Sequence, residues 1–299
     1  MMERKIMTYE EFVLKVRNCL QEDFAPFGSV EIRTACKNNG KQRTGISFCE
    51  DGDSIAPIIY LEEYFEKYEA GVPMEQILLE VRALYESIKV EHRWEGNFVM
   101  DYKNVKDRII YKLVNRQKNK DLLKEIPHIP YLDLAIVFCV LVETDMEEGK
   151  IATMLIRSEH LKYWDVTEGE IYRRAFENTE KLLPADLQTL CAILEETPEF
   201  EGEDTKKGEC MYVLSNRLRN FGAATILYED RLKIIRMCFG ENFYILPSSI
   251  HEVILLPESH AMEKEELAKI VKDINETQVK EEEVLSDLAY YFDGEKVVM

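Results

Sequence analysis

The sequence predicts an α+β protein with largely antiparallel sheets, flanking helices and two subdomains. Three observations carry that prediction. Hairpin dipeptides join strand-like runs, Asn39-Gly40 near the start and Asp293-Gly294 near the end, and such pairs tolerate the positive φ that tight hairpins demand. Helix-period segments lie between the strand-like runs with few β-α-β units, which argues against a parallel α/β fold. The 299 residues are 46% hydrophobic and 32% charged, the composition of a folded globular chain of one large or two ordinary domains.

The first helix opens at Thr8-Tyr9-Glu10-Glu11, where Thr8 and Glu11 have capping-box spacing. Phe12, Val13, Val16 and Leu20 then fall on one face, and Pro26 and Gly28 end the run. Strands over Val30–Cys36 and Arg43–Cys49 flank the Asn-Gly turn. Pro57 to Leu61 leads into a helix ending near Ala70, and a longer helix spans Met74 to Val90 with Ile77, Leu78, Val81, Leu84, Tyr85 and Ile88 on one face. Residues 1–95 thus read as an α-β-β-α-α unit. Residues 96–126 read as a basic connecting helix: seven lysines and arginines between Lys103 and Lys120 face Asp107 alone, with Ile109, Ile110, Leu113 and Val114 among them. No glycine loop or interleaved aromatic accompanies these cations, so a solvated cationic face explains them better than a phosphate site.

Residues 127–299 read as an α+β domain. Leu132 to Val142 is a buried strand, Asp145 to Gly149 a turn, and Lys150 to Ile156 its partner. Helices follow at Glu159–Trp164, Glu168–Thr179 and Ala185–Glu195, then an acidic loop from Thr197 to Glu209. A strand at Met211–Leu214, helices near Ala223–Leu227 and Arg231–Phe239, strands at Phe243–Leu246 and Glu252–Leu256, and a charged helix at Glu263–Ile274 lead to a terminal hairpin of Leu288–Phe292 and Lys296–Val298.

Composition excludes several functions. A net charge of −19 repels phosphates and anionic lipid surfaces, so neither direct nucleic-acid binding nor membrane attachment is expected. The longest apolar run, Leu134 to Val142, is nine residues, against about 20 for a membrane-spanning helix. No signal-peptide apolar stretch follows Met1-Met2-Glu3-Arg4-Lys5. The seven cysteines contain no CxxC pair and read as reduced thiols of a cytoplasmic protein.

Reaction chemistry is sparse. Neither GxxxxGK[ST] nor GxGxxG occurs, which leaves no glycine cradle for a nucleotide phosphate. His251-Glu252 begins a zincin-like pattern, but Leu255 stands where the second histidine is needed and HEVILLP reads as a strand. GxSxG and SxxK are absent. Asp133 and the Glu148-Gly149-Lys150 run imitate a nuclease metal site. At about 3.3 Å per residue they lie roughly 30 Å apart along the predicted hairpin, too far for one ion. Asp51-Gly52-Asp53 lacks the further ligands of a calcium loop, and Arg217 and Arg219 read as partners of surface acids. No cofactor and no metal is expected.

The one cluster of several reactive types is Leu246-Pro247-Ser248-Ser249-Ile250-His251-Glu252. In an enzyme, His251 would be a general base oriented by Glu252, with Ser248 or Ser249 as nucleophile or substrate-binding hydroxyl. Ser249 and His251, two apart on a strand, would share a face. The competing reading is a turn whose hydroxyls satisfy backbone amides.

Several stretches together resemble a known family: TYEEFVLKVRNCL, NNGKQRTGISF, APIIYLEEYFEKYEAG, PHIPYLDLAIVF, HLKYWDVTEGEIYRRAFEN, and MYVLSNRLRNFGAATILY running into NFYILPSSIHEVILLP. Over nearly the whole chain they resemble the uncharacterised bacterial domain-of-unknown-function family 5688. HLKYWDVTEGEIYRRAFEN is also faintly similar to another uncharacterised bacillus-type family. The resemblance implies a bacterial cytosolic protein and carries no catalytic residue onto this chain. The function expected is a non-enzymatic binding or protein-interaction module with an unidentified protein partner. The rivals are a hydrolase- or transferase-like enzyme built on Ser249, His251 and Glu252, and an acidic decoy of a DNA-binding protein.

Overall fold

The capping box at the start of the chain forms as its spacing predicts. In the computed structural model, which describes residues 7–50, 58–91, 98–145, 150–195 and 211–299, the Glu11 amide donates to Thr8 Oγ1 at 3.2 Å and the Thr8 amide to Glu11 Oε2 at 2.9 Å. Helix α1 (Tyr9–Phe24) buries Phe12, Val13, Val16, Leu20 and Phe24. The Asn-Gly turn then reverses the chain with Asn39 at φ 60° and Gly40 at φ 74°, joining antiparallel strands β1 (Gly28–Cys36) and β2 (Gln42–Glu50).

A third strand, β3 (Ile58–Tyr60), pairs with β2, where the sequence predicts only the approach to a helix. At three residues it is too short to show a period of its own. Gly45 opposite makes the pairing possible, because a Cβ there would lie 2.3 Å from the Ile59 carbonyl oxygen. Helices α2 (Glu62–Glu69) and α3 (Met74–Glu91) complete a core with α1 around Phe12, Val16, Ile46, Leu61, Ile77 and Val81, all at 0% exposure. Each such side chain contributes roughly 1.5–3 kcal/mol of burial. These elements belong to one compact unit, Met1–Lys37 with Lys41–Val99; Asn38–Gly40 with Met100–Met299 form the other.

The second unit holds two antiparallel sheets. The predicted basic helix does not form. After a short helix α4 (Tyr102–Val105), the chain enters strand β4 (Ile109–Asn115), which pairs with β6 (Leu134–Asp145). Ile109 to Asn115 are buried except for the half-buried Lys112, so both faces of the strand are covered. A run buried on both faces in this way carries no alternation and imitates a helical stripe. Strands β5 (His128–Tyr131) and β7 (Lys150–Leu155) share the other edge of β6. The predicted turn at 146–149 lies outside the described residues.

Helix α5 (Ser158–Trp164) precedes α6 (Glu168–Leu182), and α6 covers the open edge of β4. The Tyr111 amide donates to Thr179 Oγ1 at 3.1 Å, and Asn178 Nδ2 donates to the Ile109 carbonyl at 3.2 Å. Two side chains thereby satisfy backbone groups that would otherwise face an unpaired sheet edge.

The larger sheet runs β13-β12-β10-β11-β9-β8. The helix predicted over Ala185–Glu195 is instead β8 (Ala185–Thr189) followed by α7 (Leu190–Glu195), because pairing with β9 (Tyr212–Asn216) outweighs local preference. Helix α8 (Arg231–Phe239) precedes β10 (Phe243–Leu246) and β11 (Val253–Pro257). Helix α9 (Lys264–Thr277) packs Leu267 and Val271 onto Leu246, Leu256 and Ala289. Strands β12 (Tyr290–Phe292) and β13 (Val297–Val298) form the predicted terminal hairpin.

One buried polar cluster ties this unit together. Asp133, in the β5–β6 turn beside Leu132 at φ 53°, accepts hydrogen bonds from the Tyr290 hydroxyl through Oδ1 and from Ser286 Oγ, at 2.8 Å, through Oδ2. The Asp133 side chain is thus a structural clasp. Glu148, its suggested metal partner, lies outside the described residues, as do Asp51, Gly52 and Asp53.

Candidate functional site

The link from β10 to β11 is pinned on two sides. On one, the Ser286 amide donates to the Pro247 carbonyl (2.9 Å), Leu285 to Ser248 (3.0 Å), and Ile250 to Glu283 (2.8 Å). On the other, Ser215 Oγ donates to the His251 carbonyl at 2.7 Å and the Ala223 amide to the Ile250 carbonyl at 3.3 Å. Gly222 makes the second contact possible. A Cβ there would sit 2.1 Å from Ser215 Oγ and 2.4 Å from the His251 oxygen, so no other residue allows this approach. Arg219 (φ 50°) and Phe221 (φ 56°) flank it in left-handed backbone, held by Asn216, whose Oδ1 accepts from the Leu218 amide at 3.0 Å.

The four predicted residues separate into two groups. Ser248 and Glu252 line a cavity of about 230 Å³ on one face of β8, β9 and β11. Ser249 and His251 are not on its wall. Ser249 Oγ accepts from the His251 amide at 3.0 Å. The His251 ring stacks on Phe221, with centroids 6.0 Å apart and planes 13° from parallel, and its Nε2 lies 3.9 Å from Glu283 Oε1. Among the described residues, no hydrogen bond joins this ring to either serine hydroxyl.

Strand register builds the remaining wall. Asp186 stands opposite Ser215, and Gln188 and Ile254 both stand opposite Val213. Their side chains therefore share one face, while Leu214, Val253 and Leu255 pack into the core behind. Arg219 closes one side, its Nη2 donating to Gln188 Oε1 at 2.7 Å. Leu190 and Ile193 of α7 supply an apolar rim. Burial raises Glu252 above the ordinary carboxylate range, opposed by His251, the Ser249 hydroxyl and Arg219, and aided by Glu283.

Asp186, Gln188 and Ser215 escaped the sequence reading. Taking Ala185–Glu195 as a helix hid the alternation that aims Asp186 and Gln188 to one side. Arg219 reads in the sequence as a partner of a surface acid, whereas its Nη2 donates to the Gln188 amide oxygen. The arrangement offers two carboxyl groups, one guanidinium already engaged by Gln188, an amide and hydroxyls around a small concavity. It can hold a polar molecule through hydrogen bonds and charge, and it can exchange a proton at Glu252. Among the described residues, no group of three or more His, Cys, Asp or Glu side chains is placed to hold a metal ion.

No curated protein and no solved structure matches the chain. A family model does match, from residue 9 to residue 294. With nearly its whole length matched, the chain belongs to DUF5688, a family of unknown function.

Proposed function

We propose that the protein is a non-enzymatic binding module whose ligand occupies the cavity over β8, β9 and β11. One observation carries this reading. The polar groups that converge on the cavity come from β8, β9 and the pinned β10–β11 link, held by strand register and backbone hydrogen bonds, whereas the imidazole and the hydroxyl that an acyl-transfer site would couple are engaged elsewhere. The ligand is a small molecule, or the end of a protein side chain, that presents a hydrogen-bonding cation to Asp186 and Glu252. Bacterial cytosol suits it: the family resemblance points there, and the described cysteines are free thiols. The net charge of −19 favours cationic over polyanionic partners.

A titration of small primary amines and guanidinium compounds, followed by calorimetry, tests the proposal. Saturable binding that weakens about tenfold in Glu252→Gln and in Asp186→Asn is expected, since a charge-assisted hydrogen bond contributes roughly 1.5–3 kcal/mol. Unchanged affinity in both variants overturns it.

A second reading is favoured by Glu252 itself. A carboxyl raised by burial beside a serine hydroxyl suits a general acid, and a hydrolase- or transferase-like enzyme would use Ser248, Ser249, His251 and Glu252. Turnover of an ester, amide or glycoside panel that disappears in Ser248→Ala and Glu252→Gln would establish this reading in place of the first.

A further inference from the structure

Resting on that reading of the cavity, we propose that an extended segment of a partner protein adds to the free edge of β8, with a lysine or arginine turned towards Asp186 at the outer wall. Strand β8 ends the larger sheet and pairs with β9 alone. Two bonds fix which of its backbone groups face outwards. The Arg217 amide donates to the Pro184 carbonyl at 3.0 Å, and the Leu190 amide to the Met211 carbonyl at 2.9 Å. An antiparallel ladder exchanges such bonds at every second residue, so Asp186 and Gln188 turn their amides and carbonyls to β9. Ala185, Leu187 and Thr189 turn theirs away. Among the described residues, no hydrogen bond reaches these outward backbone groups.

Two other strand edges are closed by side chains. Thr179 and Asn178 serve β4, and in the first unit Gln21 serves β1, donating to the Gly28 carbonyl at 3.3 Å and accepting from the Val30 amide at 2.7 Å. No side chain does this for β8 among the described residues, and its ladder has neither a bulge nor a lysine to discourage pairing. Such an edge is a template for an incoming strand.

Alternation dictates what that strand carries. Asp186 and Gln188 share the cavity face, and Leu187, 38% exposed, stands on the other. A residue added opposite Leu187 packs on it as an apolar side chain. A residue added opposite Asp186 takes a pair position without hydrogen bonds, where side chains approach most closely, with Cβ atoms about 4.5–5.5 Å apart. The Asp186 carboxylate has no ion pair or hydrogen bond among the described residues, whereas Arg219, which also lines the cavity, is engaged by Gln188 at 2.7 Å. An added cation therefore meets an unpartnered carboxylate. An added acid meets a like charge, on a molecule whose net charge is already −19.

A blocked pentapeptide, Val-Thr-Val-Lys-Val, matches β8 in antiparallel register with its lysine opposite Asp186. Titrated calorimetrically into the full chain, it should bind saturably. N-methylation of the central valine, whose amide would donate to the Leu187 carbonyl, should weaken binding about tenfold, and N-methylation of the lysine, whose amide points away, should not. Norleucine in place of the lysine should weaken binding about threefold. Leu187→Pro removes an outward N–H and no bond to β9, so it should keep the wild-type unfolding midpoint and lose the peptide. No saturable binding up to the millimolar range, or undiminished affinity of either the valine-methylated or the norleucine peptide, would overturn the proposal. A dimer of the chain that Leu187→Pro disperses would assign the edge to a second copy and overturn it as well. Free amines that bind while the peptide does not would overturn strand addition and leave the cavity reading in place; amines that fail overturn the cavity reading on its own test.

Discussion

At Glu252, position rather than identity sets the chemistry. Its carboxyl lies in the β8–β9–β11 cavity and burial holds it above the ordinary range, so the folded state retains a proton that the unfolded chain has already lost. Stability therefore falls as pH rises from the ordinary carboxylate value to the raised one, and is constant beyond it. In Glu252→Gln this loss is absent. Urea midpoints of the two proteins should run in parallel at strongly acidic pH and diverge in favour of the variant towards neutrality. A difference independent of pH would show that burial does not perturb this group. The sequence made Ser248, Ser249, His251 and Glu252 conspicuous because they are neighbours in the chain. It could not show that Ser249 and His251 would turn to backbone and ring contacts while Ser248 and Glu252 faced a cavity. That division depends on the Gly222 approach and on segment 283–286, both remote in sequence.

At the scale of elements, α6 and β4 depend on one another. Thr179 is fully buried, accepts from the Tyr111 amide and donates to the Ala175 carbonyl. Thr179→Val keeps the shape but leaves the Tyr111 N–H buried without an acceptor, at a cost of about 1–3 kcal/mol. Thr179→Ser restores most of it. Chemical denaturation of the three proteins measures the difference, and equal midpoints would mean that another acceptor serves the strand. Amphipathic helices such as the capped α1 and the longer α3, and hairpins with glycine turns, were legible because their signals are local. Strands β4 and β8 were not. Ile109–Asn115 is apolar on both faces, and Ala185–Thr189 is fixed by its pairing with Tyr212–Asn216, information that no window around either segment contains.

For the whole molecule, excess negative charge is a standing cost. With 57 acidic against 38 basic residues, self-repulsion opposes the compact state and is screened over about 10 Å at 0.1 M salt. The thermal midpoint should therefore rise by a few degrees between low salt and roughly 0.5 M sodium chloride. A flat or falling midpoint would mean that the ion pairs on the surface, such as Arg173 with Glu170 and Glu177, lose as much by screening as the net charge gains. This property was entirely legible in the sequence, since it needs only a count. The α+β class was legible too, because antiparallel hairpins announce themselves in their turns.

The Asp133 clasp has a consequence for the order in which the protein is made. Its two donors, Ser286 and Tyr290, follow it by 153 and 157 residues. A ribosome therefore delivers β4 through β7 long before the hydroxyls that satisfy the Asp133 carboxylate beside them. Until those residues emerge, the nascent chain keeps that acid hydrated and the sheet open to water, and final closure of the second unit waits on the appearance of Ser286 and Tyr290.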